Sequence, residues 1–136
     1  MIPKWVKDLV KQVALDEGRT DIPEIKWRKS KDLTRECTSG VTYTTATPVK
    51  IRIVAGSNKR EQKWILLHEL CHWLTPNGEH HSIVFYDKAF ELYRRYRIPM
   101  KWASLKEGAY RKKSIQSYKK NELRRQADLT IARASR

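Results

Sequence analysis

Residues 58–76 read NKREQKWILLHELCHWLTP, and the fold turns on how this stretch is placed. Asn58 with Glu61 three residues later has the spacing of a capping box, Asn standing for the usual Ser or Thr. Thr75, Pro76, Asn77 and Gly78 form a strong stop. The spacing predicts a helix from Lys59 to Leu74. From Trp64 to Leu74 that helix is apolar except at His68, Glu69 and His72. Buried polar groups need partners, and a metal ion would supply one to all three.

His68-Glu69-Leu70-Cys71-His72 is an instance of H-E-x-x-H. On a helix, residues i and i+4 share one face, so two imidazoles at this spacing can grip one ion. Glu69 stands about 100° further round the helix, beside the ion rather than on it. Zinc held by neutral side chains lowers the pKa of its water to ~7, and a neighbouring carboxylate can take the proton. This is the chemistry of metal-assisted hydrolysis, used mostly on peptide bonds. The competing reading is a structural His/Glu cluster. Average composition makes the pattern a chance event in well under ~1% of chains this long.

A catalytic zinc usually has three protein ligands. In the longer pattern H-E-x-x-H-x-x-G-x-x-H the third histidine would fall at residue 78, which is Gly78, so that pattern is excluded. His81, His80 and Glu91 remain as third-ligand candidates. Ile83, Val84, Phe85, Ala89, Phe90, Leu92, Tyr93 and Tyr96 recur at roughly helical spacing. They predict a second helix from Ser82 to Arg97, ended before Pro99.

HELCH, a short loop, and then His81-Ser82-x-x-Phe85 resembles the SprT-like metallopeptidases, whose pattern is H-E-x-x-H, a loop, and H-G-x-x-[FW] opening a helix. Small phage and actinobacterial members look most similar. The segment is also similar to the YgjP-like metal-dependent hydrolases, which have Ser where Ser82 stands. The resemblance spans residues 41–96. It implies His68, His72 and His81 as zinc ligands, Glu69 as catalytic base, and a protein or peptide substrate. The chain has none of the four-cysteine zinc ribbon that ends many SprT proteins. Hydrolysis of a small phosphorylated substrate is the YgjP-like alternative.

The remaining sequence predicts a scaffold. Trp5, Val6, Leu9, Val10, Val13 and Ala14 make the apolar stripe of a first helix over residues 3–17, ended by Gly18. Strands are expected over residues 22–27, 40–47 and 49–54, the last alternating Ile51 and Ile53 with Arg52. The expected architecture is α+β and zincin-like: an N-terminal helix, a small antiparallel sheet packed on the motif helix, a following helix and a basic tail.

Charge divides the chain at about residue 100. Residues 101–136 hold 11 of the 29 Lys and Arg but 3 of the 15 Asp and Glu, which gives them +8 of the net +14. We therefore expect a metallopeptidase domain over 1–100 and a basic tail, helical or partly disordered, over 101–136. Arg111, Lys112, Lys113, Lys119, Lys120, Arg124 and Arg125 are candidate phosphate contacts, with Trp102, Tyr110 and Tyr118 interleaved for stacking on bases. A nucleic-acid-binding protein with a structural zinc is the second function class, and a solubilising tail is the plainer account of the charge. Two cysteines give no disulfide framework. No apolar run approaches ~20 residues, so no membrane span is expected. A cytoplasmic monomer is the expected form, in the host cytoplasm if the chain is phage-encoded.

Overall fold

The computed structural model describes residues 2–32, 34–76, 81–110, 116, 118–120 and 123–125. Its elements are α1 (Lys4–Asp16), β1 (Glu24–Lys29), β2 (Ser39–Tyr43), β3 (Lys50–Ala55), α2 (Lys59–Leu74), α3 (Ile83–Arg95) and α4 (Met100–Tyr110). The class is α+β. The chain divides into two compact units, Met1–Pro76 and Asn77–Arg136. Among the described residues no helix is long and apolar enough to cross a membrane.

In the first unit the strand order is β1-β3-β2. β2 pairs with β3 antiparallel, Thr42 facing Ile51, while β1 pairs with β3 in parallel, Ile25 facing Ile51. The sheet is therefore mixed, where an antiparallel one was expected. The reason lies in which strand takes the centre. Ile51, Ile53 and Ala55 of β3 are buried and alternate with the exposed Arg52, whereas β1 leaves Lys26, Arg28 and Lys29 in solvent. The most apolar strand is covered on both sides, and a lysine-bearing strand takes an edge.

Between β1 and β2 the described residues 34–38 pass the end of β3. The crossing is tight. Ser57 N donates to Arg35 O at 2.7 Å and Gly56 N to Thr38 Oγ1 at 2.9 Å. A Cβ on Gly56 would come within 2.6 Å of the Glu36 backbone and closer still to Cys37 O, so the crossing requires glycine there.

The sheet packs on α2 through β2 and β3. Trp64, Ile65, Leu66, Leu67, Leu70, Cys71 and Trp73 of α2 are all buried, the pattern of a helix enclosed on every side. Its predicted bounds are the observed ones. Asn58 caps it by accepting from Glu61 N at 3.1 Å. Only half of a capping box forms, because the buried Glu61 carboxylate accepts from Thr38 N at 3.2 Å and thereby ties the crossover loop to the helix. In α1, Val6, Val10, Val13 and Ala14 are buried, and Trp5 meets Trp27 edge to face at 5.8 Å. Gly18, at φ 65°, ends α1 in a Schellman turn with Arg19 N donating to Ala14 O at 2.8 Å.

In the second unit α3 buries Phe85, Tyr86, Ala89, Phe90, Leu92 and Tyr93. It ends in the same motif, Ile98 N donating to Tyr93 O at 2.8 Å, but with Arg97 at φ 65° where glycine is usual. The segment assigned by its charge to the tail begins as helix α4. Ala103 and Glu107 of α4 are fully buried, and Tyr93 Oη donates to Glu107 Oε1 at 2.6 Å.

Candidate metal centre

The histidines of the motif are placed by α2 alone. His68 and His72, one turn apart, have ring centroids 5.3 Å from each other, and Trp64 one turn earlier meets His68 edge to face at 6.0 Å. His68 is 1% exposed and Glu69 is 3% exposed, while His72 is half-buried. A histidine and a carboxylate sunk this deep must be engaged by other groups.

His81 is placed by the start of α3. Ser82 is the N-cap, its Oγ accepting from Phe85 N at 3.4 Å. The buried Phe85 meets the His81 ring at 4.9 Å, edge to face, and Tyr86 lies 6.1 Å from it. This is the local meaning of His81-Ser82-x-x-Phe85: one residue caps the helix and another, a turn in, props the imidazole. His81 has φ 55°, a left-handed conformation uncommon for a residue with a side chain. Such outliers gather at functional sites.

One ring nitrogen from each of His68, His72 and His81 can be chosen so that all three lie within 4.8 Å of one another. This group of three histidines could hold a metal ion. Three neutral nitrogen donors suit zinc and its transition-metal neighbours and not calcium or magnesium, which want oxygen. Glu91, the carboxylate alternative, is engaged on the surface by Lys88 at 3.5 Å and by Arg95. His80 lies outside the described residues.

Glu69 is held by β2, which the sequence reading did not anticipate. Thr42 Oγ1 lies 2.5 Å from Glu69 Oε2 and 3.1 Å from its backbone oxygen. A Cβ on Gly40 would stand 2.9 Å from Glu69 Cγ. Neither residue carries a local signal, because each acts on a helix distant in sequence.

Of the candidate phosphate contacts, Arg111, Lys112 and Lys113 lie outside the described residues. Lys119, Lys120 and Arg124 are exposed. Arg125 is not free for a phosphate: Nη2 donates to Asp87 Oδ1 at 3.0 Å and Nη1 to Oδ2 at 3.3 Å. Tyr118 Oη donates to the same carboxylate at 3.0 Å, and its ring stacks on Phe90 at 5.7 Å and lies 5.3 Å from Tyr86. Tyr118 and Arg125 are thus docked on α3. Trp102 has Lys106 over its ring at 5.4 Å. Comparison of the chain with family models, curated proteins and solved structures returns no match.

Proposed function

We propose that this chain is a zinc-dependent metallopeptidase of the SprT-like, H-E-x-x-H type. The observation that carries the reading is the convergence of His68, His72 and His81 beside a buried carboxylate, Glu69, that is not one of the three. A structural site needs no such base. His68, His72 and His81 would hold the ion, and zinc so held supplies a Lewis acid and an acidified water. Glu69 then takes the proton from the attacking water and passes it to the leaving amine. Among the described residues β2 is a sheet edge next to α2, with Val41 45% and Tyr43 42% exposed. An extended peptide that adds to this edge by main-chain hydrogen bonds would lie alongside Glu69 without demanding particular side chains.

Glu69→Gln is the deciding experiment. The amide fills the same space and takes no proton, so the variant keeps its zinc by elemental analysis and loses at least ~100-fold in cleavage of an unstructured peptide. Zinc that is bound by the wild type without any chelator-sensitive cleavage would make the site structural. The partner proposed for the tail is a nucleic-acid phosphate backbone, supported by the exposed Lys119, Lys120 and Arg124 and by the concentration of charge in residues 101–136.

A further inference from the structure

Strand β2 meets Glu69 at two points, and both come from one face of the strand. Gly40 and Thr42 are two residues apart, so both face α2, while Val41 and Tyr43 face solvent. At Gly40 the missing side chain makes room for the stem of Glu69, since a Cβ there would stand 2.9 Å from its Cγ. At Thr42 the hydroxyl reaches the head of the same side chain, 2.5 Å from Oε2. A hydroxyl has one proton to give. The carboxylate contact takes it, since about 2.5–2.7 Å is the length of a charge-assisted O–H···O⁻ bond, while the backbone oxygen is 3.1 Å away.

The two partners differ in stiffness. Glutamate has a long chain whose rotamer freedom is worth up to ~2 kcal/mol. Threonine is branched at Cβ and nearly fixed about χ1, and here its backbone is paired to β3 through Ile51. The rigid partner therefore sets the position of the flexible one.

We infer that Thr42 is the positioning residue for Glu69 in the proposed hydrolysis, with Gly40 providing the space. The inference rests on the peptidase reading. In the step concerned, an O–H bond of water breaks and an O–H bond to the Glu69 carboxylate forms. Thr42 keeps its own proton throughout and holds the carboxylate in the orientation from which the transfer occurs. A base already oriented needs no rearrangement at the moment of reaction, and a misplacement of about 1 Å can cost ~100-fold in rate.

The test has two arms on the full-length chain. In the zinc-loaded protein, Thr42→Val lowers kcat about 10- to 100-fold, with KM and zinc content unchanged, and Thr42→Ser recovers most of the loss. In the metal-free protein, thermal midpoints are measured for Thr42→Val, Glu69→Ala and the double variant. Coupled residues give non-additive shifts, so Thr42→Val lowers the midpoint much less once Glu69 is Ala. Additive shifts overturn the proposal, because the bond is then absent. Coupled shifts with an unaltered kcat in Thr42→Val also overturn it, because the bond is then structural only. If the wild-type zinc protein cleaves no peptide, the peptidase reading fails and this role with it, while the thermal cycle still reports separately on the bond.

Discussion

Gly40 shows what a single hydrogen atom in place of a methyl group does for the candidate site. A Cβ there would meet Ile53 Cδ1 and Glu69 Cγ at 2.9 Å and Ile65 Cγ2 at 3.1 Å. The end of Ile53 can swing away, but Ile65 is branched and fully buried, so β2 must move off the helix. Gly40→Ala should therefore lower stability by roughly 1–3 kcal/mol, the usual cost of overpacking, as read by urea denaturation of the metal-free protein. His81→Ala should weaken zinc binding by more than ~100-fold in a chelator competition, beyond the loss typical of a supporting residue. Glu91→Ala should leave it unchanged, since Glu91 is occupied with Lys88 and Arg95. The legibility of these residues follows the range of their interactions. His68 and His72 were readable because helix geometry alone brings them together. Reach and ligand type put His81 first of three candidates, and the family resemblance matched the same residue by position. Gly40 and Thr42 were not readable, because their partner is on another element and a glycine or threonine in a strand has no spacing to betray it.

At the level of elements, the ends of the helices were the most legible features. Asn58 and Gly18 act through backbone groups within a few residues of themselves, and α2 runs over the very residues its stop and start signals bound, whereas Ser82, expected as the first residue of the next helix, is its N-cap. The strand pairing was not legible. Alternation identifies β3 as half-buried, but its place between β1 and β2 depends on the relative apolarity of three segments and on the crossing at Gly56. One helix end is suboptimal in a way that can be measured. Arg97 occupies the left-handed position of the Schellman turn after α3, at φ 65°. That conformation costs a residue with a Cβ about 1–2 kcal/mol. Glycine adopts it freely and gives back roughly 0.5–1 kcal/mol through the greater freedom of its unfolded chain. Arg97→Gly should thus stabilise the protein by about 0.5–1 kcal/mol, and its thermal midpoint should rise. A fall would mean that the arginine side chain contributes more than its backbone loses.

For the whole molecule, the question is where the packed body ends and the basic extension begins. Net charge puts the division near residue 100, but packing does not, because α4 starts at Met100 and sends Ala103 and Glu107 into the interior. Glu107 accepts from the buried Tyr93 hydroxyl, so a chain cut at residue 99 leaves that hydroxyl without this acceptor, at about 1–3 kcal/mol. It also uncovers the surface that Ala103 fills. A chain cut after Tyr110 keeps α4 and loses the docked residues instead: the stacking of Tyr118 on Phe90 and the paired contact of Arg125 with Asp87. Arg125 and Asp87 are both nearly half exposed, and pairs in that setting are worth ~1 kcal/mol or less. The chain 1–110 should therefore melt only slightly below the full protein, and the chain 1–99 far below it. Both should bind DNA more weakly at low salt. The fall of log affinity with log salt should be less steep in 1–110 than in the full chain, by about 0.9 for each duplex phosphate contact removed. Three exposed cations, Lys119, Lys120 and Arg124, are the described contributors to that difference, and Arg125 joins them only if DNA displaces it from Asp87. Asp87→Ala separates these cases: a steeper slope than the wild type means that the ion pair withholds Arg125 from phosphate, and an unchanged slope means that the docked arrangement is the one that binds. If 1–110 and the full chain bind DNA alike at low salt, the basic extension has no part in nucleic-acid contact.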